Sequence, residues 1–201
     1  MTFVDPLAVM LIGLAMGTAI GAFYFFFAAR GDKEQIKALA IPAVGIGIFN
    51  FISGFYMSFG WIMTGFAIPY NMLFGDPLLL FGLLMIIAGV VIYKDMHLGM
   101  LPILGLVLGI YVLDAAYTIL TVPNYLSHGA LESGNDLITA MGLYLFDGIG
   151  AILAPIAYLK PQANSTNKYL YYLEWIILGI GTVFALVIGV TALNGHVASP
   201  P

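Results

Sequence analysis

The chain has 201 residues, of which 62% are hydrophobic and only 8% charged, with a formal net charge of -4 and no cysteine. Soluble domains carry about 25% charged residues, so a water-soluble fold is excluded and an all-α membrane protein is expected, a single transmembrane domain over residues 1–201. The missing cysteine removes disulfides, thiolate metal sites and thiol nucleophiles, and the acidic balance gives nucleic acid nothing to bind.

In chain order, segment one runs from Pro6 to Ala29 and supplies the ~20 apolar residues a bilayer requires. No basic stretch precedes it as in a signal peptide, so this helix is expected to be retained. Gly13, Gly17 and Gly21 stand four apart, a spacing that lets another helix approach closely, within the bundle or across an oligomer interface. Loop one follows with Arg30, Asp32, Lys33, Glu34 and Lys37. Segment two, Ala38 to Phe59, carries Asn50, Ser53 and Met57 on one stripe, with Asn50 suited to an interhelical hydrogen bond. The uncharged aromatic stretch from Gly60 to Gly75 reads as an interfacial anchor or a partial lid dipping back into the protein. Segment three is expected to start at Asp76-Pro77, an N-cap followed by proline in the first turn, and to end at Tyr93.

Segment four spans Gly99 to Val122, where Pro123 ends it. Segment five spans Asp136 to Leu159 and segment six Tyr169 to Leu193, with Asn194-Gly195 as a stop signal. Six spans result, and the charges test that count. All six basic residues, Arg30, Lys33, Lys37, Lys94, Lys160 and Lys168, fall in loops one, three and five. Since Lys and Arg favour cytoplasmic loops, both termini are expected outside and the protein in the cell membrane. Asn164-Ser165-Thr166, a glycosylation acceptor by pattern, would then lie on the unmodified side.

Segment four reads Tyr111, Asp114, Tyr117, Thr118 and Thr121 along one face at helical spacing. Segment five repeats the arrangement with Tyr144 and Asp147. An acid at the centre of a membrane helix costs roughly 2.5 kcal/mol or more, and every basic side chain lies at one surface. Asp114 and Asp147 are therefore expected to be protonated and hydrogen-bonded, to face water, or to bind a cation. Intramembrane acids of this kind usually mark a solute or proton path. Packing glue between helices is the plainer use of both. Glu174, about a turn and a half into segment six, is either an inner constriction on such a path or a helix-start acid beside the aromatic belt of Tyr169, Tyr171, Tyr172 and Trp175.

Catalysis finds little support. There is no His-Glu-x-x-His helix and no Ser-His-Asp arrangement on the spans. His97, His128 and His196 lie in loops or the tail, which argues against a bis-histidine haem. Met57, Met85 and Met141 read as core filler. No cofactor and no metal are expected, although quinone contact by the aromatic loops stays open.

The stretch Tyr70-Asn71-Met72-Leu73-Phe74-Gly75-Asp76-Pro77, in a six-span chain of this length, resembles an archaeal family of small multi-pass membrane proteins of unassigned function. More remotely, the outline resembles the acid-activated urea and amide channels. There Leu79-Leu80-Phe81-Gly82 matches a helix start and Glu174 a pore acid, whereas Tyr144, Phe146 and Asp147 stand where that family places pore tryptophans. The leading expectation is a non-catalytic channel or transporter for a small solute, cation or proton. Asp114, Asp147, Glu174, Tyr111, Tyr144 and Asn50 would line its path. The competing expectation is a subunit of a larger, possibly respiratory, membrane complex, as a homo-oligomer or with partner membrane subunits.

Overall fold

A computed structural model of the chain describes residues 6–63, 68–121, 134–159 and 165–198. Nearly all of them are helical, and no strand occurs among them. Among the described residues seven helices form: α1 (Pro6–Arg30), α2 (Lys33–Ala38), α3 (Ala40–Gly60), α4 (Ile68–Tyr93), α5 (Leu101–Thr121), α6 (Gly134–Leu159) and α7 (Ser165–Ala198). Six of the resulting spans are long and apolar enough to cross a membrane, with α2 and α3 counted as one. Each span packs against the next, and α7 closes the ring on α1.

The helix ends follow from local chemistry. Gly31, at φ +69°, turns the chain out of α1. Asp32 then caps α2, its side chain accepting from the Gln35 amide at 3.1 Å. Loop one is thus largely a short surface helix, with no buried residue. At the other end Trp61 adopts a left-handed conformation, φ 46°, and terminates α3.

Two expected boundaries are corrected. α4 begins at Ile68, eight residues before Asp76, and Pro77 lies inside it. A proline is tolerated within a membrane helix because neighbouring helices stabilise the interrupted ladder, and Pro77 here borders a cavity. The expected loop from Gly60 to Gly75 is therefore mostly helix, and only 61–63 are non-helical among its described residues. Those three are held down by Asn71, fully buried, whose amide accepts from the Met63 amide at 3.0 Å and donates to the Met63 carbonyl at 2.9 Å. α7 runs through Asn194-Gly195 to Ala198 rather than stopping there. One glycine costs a helix only about 1 kcal/mol. His128, Glu132 and Lys160 lie outside the described residues.

Glycines set how closely the helices approach. α3 and α4 run antiparallel with glycines seven apart on both, Gly47 and Gly54 facing Gly75, Gly82 and Gly89. A methyl group at Gly82 would meet the Gly47 carbonyl oxygen at 2.8 Å, and one at Gly89 the Ala40 carbonyl oxygen at 2.7 Å. This is backbone-to-backbone packing, the membrane alternative to a hydrophobic driving force. Gly109 and Gly148 do the same between α5 and α6. Of the stripe on α1, Gly13 faces Phe49 and Asn50 of α3 and Gly17 faces Phe81 and Met85 of α4, within the same chain, while Gly21 has only Leu178 nearby at an ordinary 3.5 Å.

The alternating helices bring Arg30, Lys33, Lys37, Lys94 and Lys168 to one end of the ring. There Lys37 pairs with Asp95, Arg30 lies 5.3 Å from the Phe26 ring centroid, and Phe26 packs on Trp175 at 5.1 Å.

Candidate functional site

A cavity of about 280 Å³ lies inside the ring. It runs from Leu39, Ile92 and Leu98 at the basic end to Leu14, Phe74 and Leu143 deeper in the bundle. Beyond that depth two apolar clusters, one around Leu73, Ile119 and Tyr144 and one around Leu11, Leu143 and Ala185, fill the far half. Gly17, Gly21, Gly105 and Gly150 border the cavity. At Gly21 and Gly105 the lining helices leave room that a side chain would fill, whereas Gly17 and Gly150 are already covered by Phe81 and Met85 and by Leu178.

Asp147 is the acid on this wall. It is partly buried, and its Oδ1 is sealed against α7 at Gly181 without a hydrogen-bond partner. A side chain at 181 would overlap that oxygen, so the glycine is what admits the carboxyl. Tyr144, one turn earlier, lines the cavity with its ring while its hydroxyl donates to the Leu73 carbonyl at 2.6 Å. That bond ties α6 to α4, and the Phe74 ring stacks beside Tyr144 at 5.9 Å. Across the space, the Thr18 hydroxyl meets that of Thr182 at 2.9 Å, joining α1 to α7. At the mouth, Tyr158 contacts His97 at 3.2 Å, and Tyr24 lies within electrostatic reach of Tyr158 and Tyr171.

The residues singled out from the sequence thus separate. Asp147 and Tyr144 share the cavity wall. Asp114 does not: it is exposed on the outer face of α5, with Tyr117 (64% exposed) on the same stripe. Tyr111 is also outward, donating to Asp76 at 3.1 Å. Glu174 is 1% exposed and neither oxygen has a hydrogen-bond partner. It does not border the cavity but sits on the α7 stripe between Tyr171, packed on Phe25, and Leu178, packed against Gly21 and Gly150. Asn50 is fully buried between α3 and α1, donating to the Gly13 carbonyl at 3.1 Å, and also lies off the cavity.

Sequence reasoning missed Thr18, Tyr24, Phe81 and Tyr158. A signal for Tyr158 existed: Tyr144, Asp147, Gly150, Ala151, Ala154 and Tyr158 follow i, i+3, i+4 spacing down one face of α6. Among the described residues no group of acids and histidines suited to a metal ion forms.

Six long apolar helices closed in a ring define a bundle of the multi-pass membrane type, with an interior cavity carrying one acid. None of the curated proteins and none of the solved structures compared with the chain matches it. The chain belongs to the family described as "Protein of unknown function (DUF981)", whose model matches residues 1–199.

Proposed function

We propose that this protein is a membrane transporter for a small solute, non-catalytic, with the cavity as its binding chamber and the basic end of the bundle facing the cytoplasm. The observation that carries this reading is Asp147, a carboxyl on a cavity deep among apolar helices, where an acid is costly and seldom kept for packing alone. The closed packing beyond Tyr144 and Leu143 favours a carrier that opens to one side at a time over an open pore. A nearly apolar wall also fits urea or an amide poorly, since such solutes need several paired donors and acceptors.

Reconstituted liposomes test this with osmotic shrinkage in urea, glycerol and methylammonium, and with an internal pH dye for protons. Wild-type protein is expected to raise the flux of at least one over protein-free liposomes. Asp147→Asn should lower it about tenfold or more, the loss of one charge-assisted contact. Unchanged flux in the variant would remove Asp147 from the path, and no flux for any of these solutes or for a hydrophobic ammonium ion would remove transport.

A second reading, a subunit of a larger assembly, is favoured by one observation. Asp114 stands seven residues from the end of α5, roughly 10 Å deep, and faces outward where lipid would meet it. A neighbouring chain that pairs with it relieves a cost of roughly 2.5–3.5 kcal/mol. Cysteine at Tyr117 is then expected to form a disulfide-linked dimer in membranes under mild oxidation; cross-linking to a different chain would indicate a hetero-complex, and none at all a lone monomer.

A further inference from the structure

Four chemical classes of small solute compete for a chamber of this kind, and the wall discriminates among them. An anion meets Asp147 and no Lys or Arg among the residues that border the cavity. A hard metal cation such as calcium or magnesium requires about six or more oxygen ligands, where the cavity provides one carboxyl. A neutral polar solute needs several free hydrogen-bonding groups, yet the Thr18, Tyr144 and Tyr158 hydroxyls are already engaged, with Thr182, the Leu73 carbonyl and His97, which leaves Tyr24 at the mouth, far from Asp147 along the wall. What remains is a solute with one positive charge and an apolar body.

The surroundings of Asp147 suit that solute in detail. Its Oδ1 is sealed against Gly181 and out of a solute's reach, so an ionic partner meets this partly buried carboxyl at the side that borders the cavity. Tyr144 is one turn away, and Phe74 and Phe81 border the same space, so the acid shares the cavity with aromatic rings, whose quadrupoles attract a cation. Apart from Thr18 and, at the mouth, Tyr24 and Tyr158, the remainder of the wall is aliphatic, proline, glycine, Met85 and Phe25, matched to hydrocarbon. At about 280 Å³ the chamber falls just below the ~300–1,000 Å³ of pockets that hold drug-sized ligands, which sets an upper limit near a single aromatic ring with a short ammonium arm.

We infer that the cavity binds small hydrophobic organic cations, amines or quaternary ammonium compounds, with the positive nitrogen at Asp147 among Tyr144, Phe74 and Phe81 and the apolar body extending toward the basic end. This assignment rests on the transport reading for its physiological meaning but concerns the ligand of the site. The ammonium and the carboxylate neutralise one another in place, so a full chamber carries no net charge through the apolar half of the bundle. The carboxyl is thereby both the recognition element and the means of moving a cation past hydrocarbon.

The test uses benzyltrimethylammonium, whose charge is independent of pH, and its uncharged carbon counterpart neopentylbenzene. Binding is measured by calorimetric titration of the full chain in lipid nanodiscs, with empty nanodiscs as the blank. The wild type should bind the cation, and Asp147→Asn should weaken it about tenfold or more while leaving neopentylbenzene unchanged; that unchanged affinity also shows the variant to be folded. Equal binding of the cation by both proteins, or a preference of the wild type for neopentylbenzene, overturns the assignment. Uptake of the same cation into proteoliposomes separates the two claims: binding lost in Asp147→Asn with no uptake by the wild type upholds the ligand class and overturns transport.

Discussion

The α3–α4 seam and the chamber bounded by α1, α4, α5 and α6 are made from the same residue types yet end in opposite states. In the seam, glycines seven apart on both helices bring carbonyl oxygens to within 3 Å of where a methyl group would stand. Along the chamber, Gly105 has only the Ala151 carbonyl near it, at 3.7 Å, and the side chains that α4 brings to the same space are Phe81 and Leu84. Large residues opposite glycine hold the helices apart there, while glycine opposite glycine draws them together. One helix, α4, serves both: its Gly75, Gly82 and Gly89 face is locked to α3, which leaves its Phe74, Phe81 and Met85 face fixed as a wall.

If that division is real, one glycine substitution should have three different outcomes. The largest effect on the fold is expected at Gly82→Ala, where the added methyl meets the α3 backbone, which cannot rotate away. The cost is about 1–3 kcal/mol, read as a lower midpoint in thermal unfolding in detergent. Gly105→Leu should change that midpoint little, because the new side chain enters open space, but flux in liposomes should fall to the protein-free level. Gly21→Ala meets only Leu178 at van der Waals distance, and its stability should stay within about 0.5 kcal/mol of wild type. A large loss at Gly21, or none at Gly82, would show that the seam is not what holds α4 in place.

The spans were legible because hydropathy over about 20 residues is a strong signal, and charge alternation fixed their number. Facing was not. In water an amphipathic stripe tells which side of a helix is buried, but lipid is as apolar as the core, so the apolar residues of α1 and α4 are spread evenly around each helix. Tyr111-x-x-Asp114 and Tyr144-x-x-Asp147 therefore look alike as sequence, and only the packing partner separates them. α6 is rotated by its Gly148 contact with α5 and by Gly181 admitting Asp147, whereas on α5 only Tyr111 of that face reaches another described helix, through Asp76, and Asp114 itself stays exposed. The start of α4 was misread for a related reason: Asp76-Pro77 has the composition of a helix start, but Asp76 accepts a hydrogen bond from Tyr111 instead of capping, and the helix passes through. The glycine heptads of α3 and α4 could have been seen in the sequence, since their spacing is regular.

The length of α7 has a bearing on the surrounding lipid. Its 34 residues make a rod of roughly 51 Å, against a hydrocarbon layer of about 30 Å. To lie wholly within that layer it would have to lean by about 54°, beyond the ~40° limit of ordinary helix tilts. Part of the rod must therefore pass through the phospholipid headgroups, where Lys168 at one end and Asn194 at the other find water. In a bilayer this one helix would hold the protein against vertical drift, and a fluorophore placed near either tip should report an aqueous environment while the middle of the same helix stays out of reach of water-soluble quenchers.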